Sequence, residues 1–183
     1  MTDNGILSSL DAASADAADV GEMTFSFDAL PDSLSALTAL PQAALRTSFD
    51  AAALTVLALC VYTTDAPTGI EMLNWLRGPR PLNGMELSFL RDRFRGGKTY
   101  LPFSYFAGAV PENRYTPNHP FLLTVFRGQV ADAEPGYARL YIRSGGADTP
   151  RPIRLRRKKD GKWLLWEHYL LTDIRRPEED IWG

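Results

Sequence analysis

Two histidines, one cysteine and a set of clustered arginines and lysines are the residues best equipped for chemistry. Cys60 lies within the apolar run from Ala51 to Tyr62. Reactive thiols need accessible, electropositive surroundings, so Cys60 reads as buried and inert. A lone cysteine forms no disulfide within the chain. His119 stands between Asn118 and Pro120 and reads as a surface loop residue. His168 follows Trp166 and Glu167. As an acid or base it would need help from Glu167 or Asp173, but neighbours on a strand point to opposite faces, which separates Glu167 from His168. Neither histidine sits in a cluster with metal-ligand spacing, so the sequence predicts no metal site.

Gly97-Lys98-Thr99 looks like the end of a phosphate-binding loop. The glycine that should come five residues before Gly97 is replaced by Asp92, and the segment follows a helix, so the pair Gly96-Gly97 reads as a helix stop. The sequence has no Gly-x-Ser-x-Gly element. It therefore predicts no catalytic residue and no cofactor. Ser144-Gly145-Gly146 reads as a hairpin connection, with a nest of backbone N–H groups for an anion as the alternative.

The remaining chemistry is cationic. Arg139, Arg143, Arg154, Arg156, Arg157, Lys158 and Lys159 fall on neighbouring extended arms, and Tyr141 lies among them. Such a set could bind phosphate, or be a solvated strand face. The chain has a net charge of −2 and a pI near 5.7, which argues against nucleic acid as a partner. The charge is unevenly spread. Residues 1–50 hold eight acidic side chains and one basic one, and residues 143–176 hold ten of the 20 Lys and Arg.

The elements that must position these groups follow from periodicity and stop signals. Residues 1–21 are rich in Asp, Ala and Ser and are expected to form a disordered acidic tail, leaving 22–183 as one α+β domain. Met23–Phe27 alternates as an edge strand would. Leu34, Leu37 and Leu40 suggest a short helix before Pro41. Three further helices have start signals: Thr47 with Asp50, Thr68 with Glu71, and Asn83 with Glu86. The first of these is apolar nearly all round and should be the central buried helix. Residues 99–120 hold four prolines and five aromatic residues and read as a mostly extended, ordered loop.

Phe121–Gln129 and Tyr137–Arg143 alternate as strands. Residues 151–171 read as a hairpin turning at Asp160-Gly161 through a two-residue type I′ turn. Its second arm, from Trp163, is apolar on both faces, which suits an interior strand. The expected fold is α+β, with three to four N-terminal helices packed on a curved antiparallel meander of four to five strands.

Three stretches are distinctive: MLNWLRGPRPLNGMELSFLRDR, YLPFSYFAGAVPENRYTPNHP and YARLYIRSGGADTPRPIRLRRKKDGKWLLWEHYLLTDIR. Over residues 23–183 the chain resembles an uncharacterised bacterial domain-of-unknown-function family, found mainly in Gram-positive anaerobes. That resemblance implies a cytoplasmic protein and transfers no activity. At fold level the chain also resembles the nuclear-transport-factor-two-like, cystatin-type cone group.

The leading functional expectation is a non-enzymatic interaction or accessory domain. Its partner would be an unknown protein or small molecule, met by Tyr105 and Tyr115 of the aromatic loop. The rival is a binding protein or enzyme with a cone-shaped pocket lined by Tyr141, Trp166 and His168, with Arg139 and Arg156 nearby. A homodimer through the sheet is a third expectation. The longest apolar run, Ala51–Tyr62, is too short to span a bilayer, so no membrane is expected.

Overall fold

The computed structural model describes residues 21–179, so the tail expected over 1–21 lies outside the described residues apart from Gly21. Strand β1 (Glu22–Phe27) comes first, then helices α1 (Leu34–Thr38), α2 (Ser48–Tyr62), α3 (Ala66–Arg77) and α4 (Gly84–Phe94). Strands β2 (Phe121–Arg127), β3 (Tyr137–Ile142), β4 (Arg151–Arg157) and β5 (Trp163–His168) follow. The five strands form one antiparallel sheet in the order β1-β2-β3-β4-β5. The fold is α+β with meander order.

Helix α2 is the centre of the core. Thr47 Oγ1 accepts a hydrogen bond from Asp50 N at 3.2 Å, and the Asp50 carboxylate accepts one from Thr47 N at 3.0 Å, closing the capping box. Every residue of α2 except Asp50 is buried. Alanines at 51–53 and 58 keep the helix thin, so it fits between the inner sheet face and α3. The crossing with α3 needs Gly69, where a Cβ would lie 2.5 Å from Tyr62 Cα.

The start of α3 differs from the sequence expectation. Asp65, not Thr68, is the cap: it accepts from Thr68 N at 3.2 Å and from Thr68 Oγ1 at 2.7 Å. Pro67 has no N–H to satisfy and fits the first turn, so the helix begins earlier than Thr68. In α4 the expected Asn83–Glu86 box is present.

Residues 99–120 are not mostly extended. They form three 3-10 turns, Lys98–Tyr100, Pro102–Tyr105 and Pro111–Asn113. Prolines 102 and 111 open two of them, since proline holds the required φ and needs no N–H partner there.

The hairpin turn also differs. Gly161 N donates to Lys158 O at 3.0 Å and Lys158 N to Lys162 O at 2.8 Å. A type I′ turn needs positive φ at both central residues. Gly161 has φ 89°, but Asp160 is not in the left-handed region, so the loop has three residues, Lys159-Asp160-Gly161.

Strand β5 is an edge strand, not the interior strand its double-sided apolarity suggested. Its outer side is covered locally instead. Gly78 has φ 62°, and a Cβ there would lie 2.7 Å from Leu164 Cδ1, so the chain leaving α3 runs directly over β5.

Candidate functional site

The turn after α3 and the β4–β5 hairpin enclose a cleft of about 610 Å³, within the usual size of ligand sites. Three local features build it. The first is a register shift between Arg154 and Leu155, where Arg154 faces Glu167 but Leu155 faces Leu165. Trp166 is the extra residue, and such a bulge re-aims a side chain. The second is Gly78, which turns the chain so that Pro79 and Arg80 form a wall. The third is the three-residue hairpin loop, which carries Lys158 and Lys159 to the rim.

Leu164, Leu165, Trp166 and Pro79 give the cleft an apolar floor. Arg77, Arg80, Arg156, Arg157, Lys158 and Lys159 surround it, with Asp160 the acidic lining residue. The Arg80 guanidinium carbon lies 3.7 Å from the centroid of the Trp166 ring, and Arg80 Nη2 donates to Trp166 O. Arg156 approaches the same ring at 5.1 Å. Stacking of this kind holds guanidinium groups in place while their N–H edges stay available to an oxyanion.

Arg77 braces the wall from behind. It is 7 % exposed; its Nε donates to Arg80 O at 2.9 Å and its Nη2 to Glu86 Oε1 at 2.9 Å. Glu86 Oε2 also accepts from Asn83 N at 2.9 Å, so one carboxylate both caps α4 and anchors the cleft. Asn74 Oδ1 accepts from Leu82 N at 2.8 Å and fixes the far end of the turn.

The charges are only partly neutralised. Arg77 pairs with Glu86, and Lys158 lies 3.4 Å from Asp160. Among the described residues Arg80, Arg156, Arg157 and Lys159 make no ion pair. Burial and the nearby Arg77 push the affinity of Arg80 for its proton down, as expected where cations crowd. The Lys162 backbone N–H holds the Asp160 carboxyl below the usual range.

A family model described as a domain of unknown function (DUF6935) matches residues 29–178. The chain belongs to the DUF6935 family. Every residue of the cleft lies inside the DUF6935 match. No curated protein and no solved structure matches the chain.

The structure distributes the sequence candidates over separate places. Trp166 and Arg156 line the cleft. Tyr141 and Arg139 lie on the outer sheet face away from it, where Tyr141 stacks on Phe126 with centroids 6.0 Å apart. His168 is on the inner side, paired with Ile153, and borders a cavity of about 130 Å³ with Arg77 and Glu86. It keeps some exposed surface, yet burial of its ring, with Arg77 close by and Glu86 opposing, pushes its pKa down to about 4. It is neutral at pH 7. Tyr141, Trp166 and His168 therefore do not line one pocket, because α2 occupies the inner side and the strand alternation sends the other two rings outward.

Tyr105 and Tyr115 are inside the fold, 4 % and 2 % exposed. The Tyr105 hydroxyl donates to Leu170 O at 2.5 Å, and the Tyr115 hydroxyl donates to Arg175 O. Burial pushes the Tyr115 phenol up to about 12 and raises that of Tyr105 further. Both tyrosines tie the 99–120 segment to the chain after β5, and neither offers its ring to a partner.

Sequence reasoning missed Arg77 and Arg80. Gly78-Pro79 was legible as a helix stop, but a stop signal does not say where the next residues travel. The usable signal was the apolarity of both faces of β5, which required a cover.

Proposed function

We propose that this chain is a non-enzymatic binding domain that holds an anionic partner in the cleft between the 78–80 turn and the β4–β5 hairpin. The observation that carries this reading is the lining itself: six cationic side chains and one acidic one around an apolar floor. A concave, partly apolar site concentrates such charge and makes it selective for anions. Arginine and lysine keep their protons at neutral pH, so the lining supplies attraction rather than proton transfer. His168, the nearest imidazole, borders the small cavity on the other side of Arg77 and does not line the cleft.

The experiment is calorimetric titration of the full chain with inorganic tripolyphosphate at several salt concentrations. Binding that weakens steadily as salt rises supports the reading, since charge-driven association is screened. Binding indifferent to salt contradicts it, as does failure at low salt of tripolyphosphate and organic phosphates alike.

A further inference from the structure

We infer that the cleft takes a two-part ligand: a phosphate group or groups carried on an apolar body, rather than a bare inorganic anion. The inference rests on the reading of the cleft as an anion site and adds the chemical class of what fills it. A bare anion would leave the floor unused. Leu164, Leu165 and Trp166 contribute apolar surface at the base, while Lys158 and Lys159 lie at the hairpin rim. The volume of about 610 Å³ matches a drug-sized molecule, well beyond a few phosphoryl groups.

The floor is also fixed in advance. Leu164 is held by the close approach of Gly78, and Trp166 is held by the Arg80 and Arg156 guanidiniums, 3.7 Å and 5.1 Å from its ring centroid, and edge-on to Tyr137, with centroids 5.4 Å apart. A site whose polar and apolar parts are both held before binding loses little order when the ligand enters. The geometry separates the two recognition tasks: guanidinium and ammonium groups take the phosphate oxygens, and the strand residues take the body.

Nucleotides and alkyl phosphates share this chemistry. The test compares three probes on the full chain by calorimetry: inorganic tripolyphosphate, adenosine triphosphate and hexyl phosphate, with adenosine as the uncharged control. The inference expects at least one of the organic phosphates to bind about tenfold or more tighter than tripolyphosphate, with a negative heat-capacity change from burial of the body. Tighter binding of the triphosphate assigns a planar body, and tighter binding of hexyl phosphate assigns an alkyl chain. Adenosine alone is expected to bind too weakly to measure.

The variant Leu164→Ser should shrink the gap between organic and inorganic probes, and Lys159→Gln should weaken all charged probes alike. Tripolyphosphate binding as tightly as both organic phosphates would overturn the inference while leaving the anion-binding reading intact. Failure of every charged probe would overturn both. If Leu164→Ser is unstable, the probe ranking and heat-capacity change on the unaltered chain still decide the question.

Discussion

The inner face of the sheet presents Leu123, Val125, Leu140, Ile142, Ile153 and Leu155, all 0 % exposed beneath α2. The outer face of the same strands presents Phe126, Tyr137, Arg139, Tyr141, Arg154 and Arg156, half-buried or exposed. Alternation along each strand makes both faces from one stretch of sequence. The inner face is held by packing alone. The outer face is held by guanidinium–ring contacts, such as Arg154 at 4.1 Å from the Tyr137 centroid and Arg143 at 4.4 Å from that of Phe126. Among the described residues, Arg154 is the one of these outer arginines in an ion pair: it donates to Asp132 at 2.6 Å and 3.0 Å, and its hydrogen bonds hold the Asp132 carboxyl down to about 2. On the reading proposed above, the inner face supplies stability and the outer face the binding surface, where it meets the 78–80 turn.

The sharpest way to break that division is a cavity on the inner side. Leu57→Ala in α2 is expected to cost about 2–5 kcal/mol in urea unfolding, the range for a fully buried leucine, and to leave tripolyphosphate affinity of the folded protein unchanged. Arg77→Ala sits between the two regions. It is expected to cost roughly 2 kcal/mol, below the 3–5 kcal/mol of a fully buried pair because Glu86 keeps 35 % of its side-chain surface, and it should also weaken tripolyphosphate binding by freeing the Arg80 turn. Loss of stability with unchanged affinity would show that the brace plays no part in the site.

Tyr105→Phe removes one buried donor to Leu170 O and is expected to cost about 1–2 kcal/mol with no change in binding. A separate test lies in pH dependence. His168 has a folded pKa of about 4, below the ordinary value near 6.5, so the unfolded chain takes up the proton more readily. Its contribution is present above pH 6.5 and is lost as pH falls through 4. His168→Gln should flatten the stability profile in that window, read by thermal unfolding at successive pH values. An unchanged profile would mean the imidazole is as free in the folded chain as in the unfolded one.

Much of this architecture was legible in the sequence. The Thr47–Asp50 and Asn83–Glu86 boxes place two helices, and the alternation of Tyr137–Ile142 separates inner alanine, leucine and isoleucine from outer tyrosine and arginine. The position of β5 was not legible. A strand apolar on both sides can be interior, or it can be an edge strand roofed by a loop, and the residues of the strand are the same in either case. Trp166 and Arg156 were identifiable as candidates by type, but the site needs Arg80, brought from 86 residues away by a turn at Gly78. No periodicity encodes that meeting. Tyr105 and Tyr115 looked like exposed contact residues because aromatic residues in proline-rich segments serve surfaces and interiors equally well; their hydroxyls found backbone carbonyls inside.

The central claim is that the cleft, rather than the general basicity of the hairpin side, holds the anion. Two double variants remove the same charge from different places: Arg80→Gln with Arg156→Gln inside the cleft, and Arg139→Gln with Arg143→Gln on the outer face beyond it. Their affinities for tripolyphosphate at one low salt concentration decide the matter. The cleft pair is predicted to weaken binding by at least about tenfold, the scale of losing charge-assisted hydrogen bonds, and the outer pair to change it little. Equal weakening by both pairs would contradict the account and reduce the cleft to one part of a diffuse positive surface.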